Sequence, residues 1–156
     1  MLEEALRFGS VHYYGFDLFD SCPLEEFPKA EWKKISLEKI RTALERTGAK
    51  VSLFKGNTRE TLALTPLPMM DFIFIDGGHS LETIENDWNH CKKLMHPKTV
   101  LVMDDYWNRT DAGCRPLVDD VIVPSGNYRV EMLGPADRAD VSDIQMVKIT
   151  LRSPLS

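Results

Sequence analysis

The chain has 156 residues, 43% of them hydrophobic, and a net charge of −5 from 19 basic and 24 acidic side chains. That fits one globular domain able to bury its own core. The acidic balance argues against nucleic acid or an anionic membrane as partner, and no apolar run approaches the roughly 20 residues that cross a bilayer. The opening Met1–Arg7 is acidic and lacks an apolar h-region, so a signal peptide is not expected. Cys22, Cys91 and Cys114 form no C-x-x-C, and His12, His79, His90 and His96 do not join them at zinc-finger spacing. Three incidental thiols suit a reduced, cytoplasmic protein.

Leu2, Ala5 and Leu6, stopped at Gly9, predict a short helix. His12–Phe16 reads as a strand bounded by Asp17, and residues 18–35 as a loop rich in Pro, Glu and aromatics. Ser36 is an N-cap, Leu37, Ile40 and Leu44 share a helical face, and Gly48 ends that helix. Val51–Phe54 is the next strand. Asn57 and Glu60 then have capping-box spacing for a short helix. Phe72–Ile75 holds no polar residue, which predicts a strand buried on both faces. Ile84, Trp88, Cys91 and Met95 make one helix stripe, stopped by Pro97. Val100–Met103 is a second fully buried strand, ending at Asp104–Asp105. Leu117, Val118, Val121 and Ile122 suggest a helix, and residues 128–133 and 144–151 a closing pair of strands. The alternation of strand and helix predicts an α/β fold with a mostly parallel sheet and a C-terminal antiparallel strand.

Four of these strands end at polar residues: Asp17, then Gly56-Asn57, then Asp76-Gly77-Gly78-His79, then Asp104-Asp105. In a parallel sheet the carboxyl ends share one edge, where ligands bind. Taken singly, each has a plainer reading. An Asp after a strand commonly caps a turn or helix. Gly77 and Gly78 can mean only a tight turn, and His79 can cap the helix that begins near Ser80. Their alignment along one rim favours a site. Adjacent carboxylates without a cationic partner call for a cation, and oxygen ligands suit Mg²⁺, Mn²⁺ or Ca²⁺ rather than zinc. His79 could then take a proton from an acceptor hydroxyl.

Several segments resemble class I S-adenosylmethionine-dependent methyltransferases. They are Tyr13-Tyr14-Gly15-Phe16-Asp17-Leu18-Phe19, Gly56-Asn57-Thr58-Arg59-Glu60-Thr61-Leu62, Asp71-Phe72-Ile73-Phe74-Ile75-Asp76-Gly77-Gly78-His79-Ser80 and Val102-Met103-Asp104-Asp105-Tyr106. The closest branch is the metal-dependent O-methyltransferases of sugars and hydroxylated natural products. The resemblance runs in order from residue 1 to about 150, most specifically at Ile75–Ser80. It implies a Rossmann-like methyltransferase fold and a small hydroxylated acceptor. It assigns Asp17 to the ribose of S-adenosylmethionine, and Asn57 and Thr58 to the adenine side. Asp76, Asp104 and Asp105 match the ligands of Mg²⁺ or another hard cation, with Asp76 also at the cofactor edge, and His79 matches the base.

The family's first strand and its glycine-rich loop have no counterpart in these residues. In the family that strand lies between those ending at Asp17 and Asp76. The strands at 12–16 and 72–75 are therefore expected to pair directly or to find substitute partners, a second copy of the chain among them, and donor affinity is expected to be weak or absent. A single methyltransferase-like domain over 1–156 is the leading expectation. The alternatives are a catalytically silent remnant acting through assembly, with a homo-oligomer covering exposed strand edges, and a metal-dependent hydrolase. Loop 18–35 together with Tyr106, Trp107 and Arg109 is expected to shape the acceptor pocket, although Trp107 could equally be a core anchor.

Overall fold

A computed structural model describes residues 2–19, 36–107, 110–134 and 145–152. Most of loop 18–35, with Cys22, and also Arg109 lie outside the described residues. The chain divides into two compact units, Met1–Leu64 and Thr65–Ser156.

The first unit runs α1 (Leu2–Leu6), β1 (His12–Asp17), α2 (Leu37–Glu45), β2 (Lys50–Lys55) and α3 (Thr58–Leu64). β1 and β2 pair in parallel, in register from His12 opposite Lys50 to Asp17 opposite Lys55. The register stacks the Phe16 and Phe54 rings at 4.6 Å and sets a His12 ring nitrogen 2.9 Å from the Ser52 hydroxyl. At Gly15 the Tyr13 ring and Leu53 Cδ2 fill the space that a Cβ would take, at 2.8 and 2.9 Å. Ser36 caps α2, its hydroxyl accepting from the Lys39 N–H. Gly48 follows the helix at φ +93°, the left-handed geometry expected of its stop.

The second unit runs β3 (Met70–Ile75), α4 (Leu81–Cys91), a 3-10 turn (Lys92–Leu94), β4 (Met95–Tyr106), α5 (Arg115–Leu117) continued by a π-helical turn (Val118–Ile122), β5 (Tyr128–Leu133) and β6 (Gln145–Leu151). Its sheet has the order β3-β4-β6-β5. β3 and β4 are parallel, while β6 is antiparallel to both of its neighbours. Leu101, Met103, Val147 and Ile149 are wholly buried and pack with Ile84, Trp88, Val118 and Ile122 in one core. Ser80 caps α4 through the Thr83 N–H. The buried stripe of that helix is Ile84, Asp87, Trp88 and Cys91, and Trp88 meets Tyr128 edge-on at 5.0 Å.

Four expectations need correction. The described strands form two sheets, β1-β2 and β3-β4-β6-β5, rather than one. Among the described residues β1 pairs only with β2 and β3 only with β4, so each is an end strand. Nor is β3 buried on both faces. Ile73 and Ile75 enter the core, but Phe72 and Phe74 remain 46% and 37% exposed. Met95 is buried as the first residue of β4, not as the last of the helix stripe, because α4 stops at Cys91. Finally, β4 continues through Asp104 and Asp105 to Tyr106, so the acid pair lies within the strand's end and not beyond it.

Candidate active site at the strand ends

In the first unit, the carboxyl ends of β1 and β2 are tied together by the Gly56 N–H, which donates to the Asp17 carbonyl at 3.0 Å. The Asp17 carboxylate accepts from the Phe19 N–H at 2.6 Å. Asn57 Oδ1 accepts from the Arg59 N–H at 3.0 Å, and its carbonyl accepts from Glu60 and Thr61, which opens α3. Asp17, Asn57 and Thr58 therefore stand at one end of one parallel pair, as strand polarity requires.

In the second unit, Asp76, His79, Asp104 and Asp105 converge where β3 and β4 end. Asp76, Asp104 and Asp105 form the polar part of a small open crevice lined also by Ile75, Gly77, Gly78, Ile84, Met103 and Cys114. His79 lies at its margin, its Nε2 3.0 Å from Asp105 Oδ2. The Asp76 carboxyl is raised above its usual range, first by partial desolvation and then by the facing Asp104 and Asp105 carboxylates, with a hydrogen bond to Asp104. Burial raises Asp105 as well, while His79 and the Trp107 indole hold it back. Asp105 turns to His79.

Asp105 itself is at φ +60°, an unusual geometry for a residue with a side chain. Its carbonyl accepts from both Trp107 N–H and Cys114 N–H at 2.9 Å, and its N–H donates to Asp104 Oδ1 at 2.8 Å. Trp107 contacts the His79 ring edge-on at 4.7 Å, so its partner is the site and not the core cluster. Cys114 and Cys91 are buried thiols pushed up to about 12, which leaves neither as a nucleophile near neutral pH. Among the described residues, no three His, Cys, Asp or Glu side chains stand as a ready-made metal cage. Sequence reasoning missed Cys114 and Gly113, which reach this rim from well downstream without a motif.

The profile of a family described as methyltransferase domain matches residues 1–106. The chain belongs to that family. No curated protein matches it. Among solved structures, cofactor-bound Rv0187 from MTB superposes at a TM-score of 0.61 with 14% identity, covering 98% of this chain and 77% of the other. An O-methyltransferase from Bacillus cereus in complex with SAH gives 0.57 at 14%, covering 96% and 78%. A proposed rRNA methylase from Clostridium thermocellum gives 0.56 at 11%, covering 97% and 93%. At these identities the likeness is one of fold: a Rossmann-like α/β methyltransferase fold, with parallel strands closed by antiparallel ones. Among the described residues of this methyltransferase-family chain, no helix is long and apolar enough to cross a membrane.

Proposed function

We propose that the chain is an S-adenosylmethionine-dependent O-methyltransferase that methylates a hydroxyl of a small molecule or sugar. The observation that carries this is the His79–Asp105 contact at the carboxyl edge of β3 and β4, in a chain of the methyltransferase family. Asp105 engages Nε2, so that nitrogen carries the ring hydrogen and Nδ1 keeps the lone pair. Nδ1 is then the atom that takes the acceptor's proton, and the Asp105 carboxylate stabilises the imidazolium that results. Methyl transfer is an in-line displacement at a sulfonium, so the chain's remaining work is to orient donor and acceptor. Asp17 is assigned to the donor's ribose hydroxyls, and Asn57 and Thr58 to its adenine.

The donor chemistry of the acid pair fits a hard divalent cation such as Mg²⁺, with Asp76 and Asp104 as the residues that would hold it and Asp105 divided between that ion and His79. When bound there, the ion supplies charge neutralisation to the carboxylates and to a developing alkoxide. A cytoplasmic setting and the absence of a nucleic-acid partner belong to the same reading and rest on thiol content and the charge of −5.

The test is formation of S-adenosylhomocysteine from S-adenosylmethionine by the purified chain over a panel of catechols, phenols and sugars, with and without Mg²⁺. A hydroxyl-dependent signal that His79→Gln lowers about 100- to 10,000-fold is the expected result. One observation favours a second reading, assembly through strand edges: β3 ends its sheet with Phe72 and Phe74 exposed. Concentration-dependent dimerisation without any product would select that reading.

A further inference from the structure

We infer that Gly113 is a positioning residue for His79, an inference that rests on the reading of His79 as the base. Gly113 stands where the two halves of the crevice rim meet. Its N–H donates to the His79 carbonyl at 3.0 Å, which ties it to the turn after β3. Its α-carbon lies against the end of β4, where an added Cβ would come within 2.3 Å of the Asp105 carbonyl oxygen and 3.4 Å of the Trp107 ring. The first of these distances is to backbone and cannot be relieved by a side-chain rotation.

That same carbonyl accepts from Trp107 N–H and Cys114 N–H. Moving it disturbs the φ +60° turn that aims the Asp105 carboxylate at His79 and sets Trp107 against the ring. Gly113 also sits at φ +81°, but that strain alone does not distinguish it. Gly126 has φ +71° with no atom within 4 Å of its would-be Cβ. Close backbone approach is what sets Gly113 apart. The side chain missing there lets one hydrogen bond join the His79 turn to the Asp105 turn, and this junction fixes the imidazole between a carboxylate and an indole. His79 is otherwise 49% exposed, with ample room to rotate.

The experiment compares Gly113→Ala with Gly126→Ala in the full chain by imidazole ¹H–¹³C NMR. With four histidines present, His79 is assigned as the signal lost in His79→Gln. The ring current of Trp107 should displace it in the parent chain. Gly113→Ala should move it to the position of a solvent-exposed imidazole and leave the other three in place. Gly126→Ala, with the same conformational cost, should move none. A folded Gly113→Ala protein with the His79 signal unmoved overturns the inference. Should Gly113→Ala fail to fold, amide exchange in the parent chain decides: a Gly113 N–H protected by its bond to the His79 carbonyl is expected, and a Gly113 N–H that exchanges as freely as an open loop overturns the inference. Where turnover is measurable, kcat should fall ~10- to 100-fold in Gly113→Ala, as expected for a misplaced reacting group, with donor KM unchanged. A displaced signal in a chain that shows no turnover would retain the positioning role and discard the methyltransferase reading.

Discussion

Asp76 shows how one side chain records the cost of building a site. Its folded pKa lies above the ordinary 3.8, through desolvation and through Asp104 and Asp105. A raised folded value favours folding below the unfolded pKa, and that contribution is lost as pH rises through the folded one. At neutral pH the ionised group therefore opposes folding. Asp76→Asn should stabilise the chain at pH 7 in chelating buffer, by about 0.5 kcal/mol given the solvent screening at this exposed position. The gain should shrink as pH falls toward 3.8, as denaturant titrations at a series of pH values would show. An equal gain at every pH would mean that the repulsion is absent. Glu131 has the opposite sign. The Lys148 hydrogen bond and Arg129 hold its carboxyl below the usual range, so its contribution is present above its unfolded pKa and fades on acidification.

At the scale of elements, β3 and β4 are joined by a side chain as well as by their ladder. Thr99 is wholly buried. Its hydroxyl donates to the Met70 carbonyl at 2.5 Å and accepts from the His96 N–H at 2.8 Å. Valine has nearly the same shape but neither function, and would strand two backbone groups. Thr99→Val should cost about 1–3 kcal/mol for each group left unsatisfied, measured by chemical denaturation. A neutral result would show that water replaces the hydroxyl. Trp88 fixes α4 on the sheet with 2% of its surface exposed. Trp88→Ala should cost ~3–5 kcal/mol, a large share of the about 5–15 kcal/mol that keeps an ordinary domain folded.

For the molecule as a whole, burial is concentrated in the second unit. Leu101, Met103, Val147 and Ile149 are fully buried in the β4-β6 ladder, and the buried core cluster lies entirely in that unit. Among the described residues of the first unit only Gly15 and Ala49 are buried, and none of the helix residues is. Amide exchange under native conditions should therefore be slowest along β4 and β6 and faster in β1 and β2. Slower exchange in β1 than in β4 would show that the first unit draws stability from contacts with a partner.

Much of this was legible in the residues themselves. Local chemistry decided the cap at Ser36 and the turn at Gly48, because each involves groups only a few positions apart, whereas the cap of α4 is Ser80 and not His79. The period of the apolar side chains decided the helices and most strands, and parallel polarity brought Asp76 and Asp104 to one end of their sheet. Tertiary structure decided what depends on distant neighbours. An apolar run such as Phe72–Ile75 reads alike whether one or both faces are covered, because exposure is set by what packs over each face. That the described strands divide into two sheets likewise depends on which partner each strand finds. The engagement of Asp105 with His79 and the closing of the rim by Gly113 depend on a chain reversal beyond Asp105. No local spacing encodes it, since a hydrogen bond from residue 113 to residue 79 exists only once the sheet has formed.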